Sequence, residues 1–258
     1  MFWASMYTSK NSIYKMVSIE PIKTPKYISK QSPSPHLPKL PVRMIVSGQS
    51  GAGKGVTVQN LLLRPQLYRN CFDRIYYFSA SASVDSNLVA LKEFCEDLQD
   101  DPCVYDEWVP STIDEIIDRQ AQDIEKRKKM RSKTMPNIAI VCDDFADTRS
   151  AMHGSTLKKL FLRGRHYYIS TFVLTQKYRL LDNSLRINAT ALLVFRCRSM
   201  QDKEAVLHEN AALIGYKSLE ELYNYATSEP YQFLYIDLMG ADTSKMFYKG
   251  FLSKLVIE

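Results

Sequence analysis

The sequence predicts an α/β fold: a mostly parallel central sheet with helices on both faces. Short apolar, β-branched runs alternate along the chain with longer amphipathic stretches, the pattern of strands joined by helical crossovers. Runs such as NIAIVC and YYISTFVLT are apolar almost throughout rather than at every second residue, as in strands buried on both faces. With 258 residues and 45% hydrophobic content, the chain can bury one substantial core.

Residues 1–41 stand apart. They hold six of the eleven prolines, and six lysines oppose one glutamate. Without sustained periodicity such a segment buries too little apolar surface to offset its ordering entropy. It is expected to form a basic, Pro/Ser-rich flexible or extended arm that docks on a partner, with 42–258 as the folded domain. Most of the net charge of +6 then belongs to the arm, and the domain is close to neutral.

Within the domain, VRMIVS reads as a strand and Lys54 to Leu63 as a helix. RIYYFS, from Arg74 to Ser79, is a strand followed by a helix around Asn87 to Leu98. STIDEIIDRQAQDIEKRKKMRSK is a long helix, with Ser111 as its expected cap and its bases late, where the helix dipole favours them. NIAIVC is a strand, Ser155 to Gly164 a helix, and YYISTFVLT and TALLVFRC are strands. Asp202 to Leu213 is a helix, YQFLYIDL a late strand, and KMFYKGFL pairs beside it. No repeat at solenoid periods is seen.

No apolar run approaches the roughly 20 residues of a membrane span, and the N-terminus lacks a secretory apolar core. A soluble intracellular protein is expected. The five cysteines include no C-x-x-C pair, which argues against a disulfide framework or zinc site and for buried thiols in a reducing compartment.

The chemistry centres on GQSGAGKG. G-x-x-x-x-G-K is formed by Gly48, Gly53 and Lys54, after a strand and before a helix, the context a phosphate-cradling loop requires. Four of the nine glycines fall between Gly48 and Gly55. Glycines let the backbone N–H groups of Gln49, Ser50, Gly51, Ala52, Gly53, Lys54, Gly55 and Val56 turn toward phosphate oxygens. The helix N-terminus adds positive potential, and Lys54 reaches the β- and γ-phosphates. The cofactors this predicts are ATP and Mg²⁺. Gly55 stands where a serine or threonine hydroxyl normally ligates Mg²⁺. Thr57 is no substitute, since two residues further along a helix is about 200° of rotation. From the loop alone, Mg²⁺ affinity is expected to be weak, and Gly55→Ser or Gly55→Thr to raise turnover.

NIAIVCDDFAD ends an apolar strand in two acids. Asp143 is placed to reach Mg²⁺ through water and Asp144 to orient or deprotonate the attacking water. A protein that merely holds nucleotide has no need of the second acid. Gln176, ending YYISTFVLTQ, is a candidate γ-phosphate sensor. Arg163, Arg165 and, less strongly, Arg186 are candidates for a guanidinium delivered by a neighbouring subunit. EKRKKMRSK supplies a local basic surface beside the Asp143 strand, with Lys126, Arg127, Lys128, Lys129, Arg131 and Lys133, of the kind a polyanion needs.

Together GQSGAGKG, IVCDDF, GRHYYISTFVLTQKY with LRINATALLVF, and LYNYATSEPYQFLYID resemble the genome-packaging ATPases of large double-stranded DNA viruses and virophages, within the FtsK/HerA group of P-loop translocases. The resemblance runs from about Val42 to Asp237. It implies a RecA/FtsK-HerA-like fold, with Lys54 as phosphate lysine, Asp143 and Asp144 as metal and water-activating acids, and Gln176 as sensor. It also implies a homo-oligomeric ring, a pentamer or hexamer, feeding double-stranded DNA into a preformed capsid at a capsid or portal vertex, with the basic run from Lys126 to Lys133 as its pore-facing DNA contact. Its expected location is the host cytoplasm, a viral factory or the virion. Two other readings stand beside it. A nucleotide-binding structural or assembly factor with lost hydrolysis is favoured by Gly55 and opposed by the acid pair. A small-molecule kinase or GTPase lacks its marks, since no N-K-x-D guanine signature and no arginine-rich lid are found.

Overall fold

The computed structural model describes residues 22, 25–143, 145, 154–240, 242–251 and 253–255. Its nine strands form one sheet in the order β3-β2-β4-β5-β1-β6-β7-β8-β9. The strands are β1 (Arg43–Ser47), β2 (Arg74–Ser79), β3 (Val104–Tyr105), β4 (Ile138–Asp143), β5 (Ile169–Thr175), β6 (Ala191–Phe195), β7 (Phe233–Asp237), β8 (Phe247–Lys249) and β9 (Ser253–Lys254). The first six pair in parallel; β7, β8 and β9 add an antiparallel wing. Every residue of β2, β5 and β6 is buried, as their unbroken apolar character requires in a sheet covered on both sides.

Side chains alternate between two cores because successive strand residues face opposite ways. Met44, Val46, Tyr77, Val141, Phe172 and Leu174 pack with α1 (Lys54–Leu63) and α2 (Val89–Glu96). Ile45, Phe78, Ile140, Val173 and Leu192 face the other way. Their partners are α3 (Pro110–Lys129), α4 (Ser155–Arg163), α5 (Asn183–Asn188), α6 (Met200–Asn210) and α7 (Tyr216–Ala226). The chain thus leaves β1 toward one face and its neighbour β5 toward the other. Such a divergence opens a crevice at the strands' C-terminal ends, the usual ligand position in open α/β sheets.

Several boundaries differ from the sequence reading. Ser111 does not cap α3: Val109 is the N-cap, without a side-chain bond, and Pro110 opens the helix, where its missing N–H is not required. The helix stops at Lys129, and Arg131 has φ 55°, so the last basic residues lie beyond it. Tyr167 belongs to a 3₁₀ turn, Gly164–Tyr167, and not to β5. The helix α7 went unassigned, although Leu219, Tyr223 and Ala226 form its buried face at helical spacing.

The arm also changes character. Residues 25–41 are irregular, with a turn at Pro35 and His36, and the partner is the domain itself. Ile28 bridges Thr134, the Ser32 hydroxyl donates to Leu67 O at 2.7 Å, and Tyr68 Oη donates to Pro38 O at 2.7 Å. Leu37 and Leu40 are buried with α1 residues. The low apolar content of 1–41 as a whole conceals a stretch whose few leucines are all used. Among the described residues, no helix is long and apolar enough to cross a membrane. Four of the five thiols are buried, Cys197 partly.

Candidate functional site

The loop between β1 and α1 wraps the helix N-terminus. Gly53 caps α1 with φ 93° and ψ 14°, a left-handed conformation that a side chain would strain. Gly51 is likewise at φ 72°. No acid occupies the first turn of α1, so the positive end of the helix is left for an anion. The Lys54 ammonium arches over the loop and donates to Gly48 O at 2.9 Å and Gln49 O at 3.1 Å.

Sheet order decides what meets this loop. The acidic strand β4 does not adjoin β1; β5 lies between them. Gln176, one residue beyond β5, therefore sits between the lysine and the acid. The three converge on a cavity of about 210 Å³ lined by Ser50, Gly51, Gly53, Lys54, Gly55, Val56 and Gln59, by Asp143 and Gln176, and by Ser81, Asp85 and Asn87. Asp144 lies outside the described residues. Thr57 faces a different cleft with Asn60 and Arg64, as its helical rotation implies.

Five contributors were missed by sequence reasoning, Gln59 of α1 among them. Ser81, Asp85 and Asn87 come from the connection after β2, where Asp85 Oδ1 accepts from the Asn87 backbone at 2.9 Å and side chain at 2.7 Å. Tyr77, from β2, donates its hydroxyl to Asp143 Oδ2 at 2.6 Å. Burial first, then the nearby Asp143 carboxylate, holds the Tyr77 phenol far above its ordinary range, so it remains a donor. A polar residue after a strand is a weak signal, and a tyrosine within one is none.

The arginine candidates lie elsewhere. Arg163 ends α4 and Arg165 lies in the following turn, at the start of β5 and so at the opposite end of that strand from Gln176. Both are exposed. Arg43, at the same edge, donates to Phe161 O at 3.2 Å, and its pKa is lowered by burial and by Arg165. Arg186 is engaged within its own chain: it pairs with Glu209 and stacks 5.4 Å over the Tyr178 ring. Tyr178 in turn donates to Glu209 at 2.9 Å. Arg198, exposed just beyond β6, lines a second cavity with Gln49, Ser50 and Gln176; it was not singled out from sequence.

The basic run also falls at the arginine edge. Lys126, Arg127, Lys128, Lys129, Arg131 and Lys133 are all exposed. They lie before the start of β4, so they are near Asp143 in sequence but at the far end of its strand. Buried Gln120 anchors the helix that carries them, donating to Pro136 O at 2.8 Å and Tyr167 O at 2.9 Å. Arg74 locks it from below, donating to Gln120 Oε1 at 2.7 Å and pairing with Asp123 at 2.8 Å.

The family model described as Poxvirus A32 protein matches residues 30–229. The chain belongs to this family. The match begins inside the segment that the arm packs on the domain. Uncharacterized protein 015R of Frog virus 3 (isolate Goorha) is 24% identical over 219 residues, which is 83% of this chain and 63% of that relative's length. Among solved structures, the genome packaging NTPase B204 of Sulfolobus turreted icosahedral virus 2, in complex with AMP, superposes with a TM-score of 0.53 at 15% identity, over 84% of this chain and 98% of that one. The pCW3 conjugation coupling protein TcpA, with ATPγS, gives 0.54 at 17%, over 81% of this chain and 60% of that one. At such identities the solved structures establish the fold alone, that of the P-loop NTPases. A32 membership and this fold bear out the resemblance to viral packaging ATPases.

Proposed function

We propose that this chain is the ATP-hydrolysing subunit of a motor that packages double-stranded viral DNA into a preformed capsid, working as a homo-oligomeric ring in the infected cell. The observation that carries the reading is the convergence of Lys54, Asp143 and Gln176 on one cavity at the ends of β1, β4 and β5. A32 membership supports it, as does the fold shared with the genome packaging NTPase B204.

The residues fit a magnesium nucleotide. Among the described residues no cluster of three or more His, Cys, Asp or Glu side chains forms a metal cage. Mg²⁺ seldom uses one, relying on one or two carboxylates, substrate phosphates and retained waters. Asp143 would hold it through water, and when bound it would offset charge on the β- and γ-phosphate oxygens. The chain's own part is positioning. Backbone N–H groups from Gly51 to Gly55 cradle the phosphates, and Lys54 exchanges its carbonyl partners for phosphate oxygens. Gln176 faces the terminal phosphate, and Asp144 is assigned the attacking water from its place after Asp143.

DNA is assigned to the opposite edge, through Lys126, Arg127, Lys128, Lys129, Arg131 and Lys133. Contacts of this kind give little sequence preference and a steep salt dependence. Arg165 and Arg163 are assigned to a neighbouring subunit's nucleotide, and Arg186 to its own fold.

The deciding experiment is ATP hydrolysis with Mg²⁺, with and without duplex DNA, beside Lys54→Ala and Asp144→Asn. DNA-stimulated turnover lost in both variants supports the motor. Nucleotide binding without turnover above the variants gives the alternative, a structural or assembly factor.

A further inference from the structure

The position expected to carry a hydroxyl, Gly55, faces two oxygens that already bond to each other. A β-carbon built there would stand 3.4 Å from Asp143 Oδ2 and 3.6 Å from Tyr77 Oη, the pair joined at 2.6 Å. A hydroxyl borne on that carbon would fall within hydrogen-bond reach of either. Loop and strand thus compete for one seat, and Tyr77 has it.

Register explains how a core residue arrives there. Tyr77 pairs with Val141, and Ser79 with Asp143, so Tyr77 and Asp143 share a face as diagonal neighbours, a separation that a long aromatic side chain spans. The Tyr77 ring packs in the apolar cluster of Val58, Leu61 and Val141, a role phenylalanine would fill equally. The hydroxyl adds the contact with the acid.

We propose that the Tyr77 hydroxyl does from β2 what a serine or threonine at position 55 does from the loop: it fixes the polar surface on which the magnesium of bound nucleotide is received, by orienting the Asp143 carboxylate. Tyr77 is a positioning residue, and a side chain at position 55 would lie in van der Waals contact with the same hydroxyl and carboxylate. This replaces the expectation, drawn from the loop alone, that Gly55→Ser helps by itself. It rests on the nucleotide-hydrolysing reading above.

The test is Mn²⁺ binding followed by electron paramagnetic resonance with a non-hydrolysable ATP analogue, on the wild type, Tyr77→Phe, Gly55→Ser and the double variant. Nucleotide affinity in EDTA and thermal unfolding are measured alongside. Tyr77→Phe should weaken Mn²⁺ about tenfold, the worth of a hydrogen bond to a charged group, and leave EDTA affinity unchanged. Gly55→Ser alone should give no gain, yet in the double variant it should recover most of the loss. Unchanged Mn²⁺ affinity in Tyr77→Phe, or strictly additive effects in the double variant, overturns the proposal. Should Tyr77→Phe not fold, Gly55→Ser decides alone, since a tenfold gain in Mn²⁺ affinity would mean the seat was open. A wild type whose nucleotide binding ignores Mn²⁺ sinks the functional reading itself, and this inference with it.

Discussion

The two ends of the parallel strands are built on different principles. At the C-terminal end, where Ser47, Asp143 and Thr175 finish β1, β4 and β5, the groups that face a ligand are largely backbone: a glycine-rich turn, a helix N-terminus, and few side chains. At the N-terminal end the polar equipment is long, exposed Lys and Arg side chains on α3, its following loop and the turn before β5. Backbone can be placed to a fraction of an ångström by the sheet beneath it, which suits phosphate chemistry. Flexible cationic side chains suit a partner that slides, since phosphate contacts are electrostatic and carry no sequence information.

If this division is real, each end can be disabled without the other. The largest effect is expected from Lys54→Ala: turnover falls at least a hundredfold, and DNA affinity, measured by fluorescence anisotropy, stays as in the wild type. A parallel loss of DNA binding would break the separation. Next, replacing Arg127, Lys129 and Arg131 together by alanine should weaken DNA binding about tenfold or more at moderate salt and lower the salt slope by about 2 to 3. Nucleotide affinity by calorimetry should not move. A smaller and more discriminating effect is expected from Arg165→Ala. Its turnover should drop only under conditions where subunits associate, and mixing it with Lys54→Ala protein should restore part of the loss if the guanidinium serves another chain. The smallest concerns pH. Asp182 pairs with Lys158 at 2.7 Å and accepts from Ser184 N; these partners, Lys158 first, hold its carboxyl well below the usual range. A depressed folded pKa contributes stability that is complete above the unfolded value near pH 4 and is lost as pH falls through the folded pKa. Asp182→Asn should therefore lose less stability between about pH 4 and pH 2 than the wild type, read as a smaller fall in Tm. The pair is partly open to solvent, which screens it, so the difference is small.

What could be read in advance follows the range of the interaction. The strands β1, β2 and β4 to β7, the loop from Gly48 to Gly55 and the placing of Gln176 were legible because each rests on neighbours in sequence. Tyr77 was not, because its partner Asp143 is 66 residues away and only the β2–β4 register brings them together. The cavity wall of Ser81, Asp85 and Asn87 was hidden likewise, for nothing in SASVDSN marks a turn that faces a phosphate loop. The basic run was read only as lying beside the Asp143 strand; which end of that strand it meets follows from the length of β4, which separates it from Asp143. Residues 25–41 escaped for another reason. Composition averages over a segment, whereas Leu37 and Leu40 dock individually.

The opposition of the two ends also bears on symmetry. The arginines of the turn before β5 and the glutamine after it are separated by the seven residues of that strand, about 20 Å at the usual rise. A two-fold dimer pairs residue i of one subunit with residue j of the other and the reverse, so it brings arginine end to phosphate end only when the subunits lie side by side and antiparallel, and it then stops at two. Head-to-tail contacts instead continue until a rotation closes them into a ring or, failing that, extend as a filament. In either arrangement an arginine a whole strand away from its own phosphate loop is placed to serve a neighbour's loop and not its own.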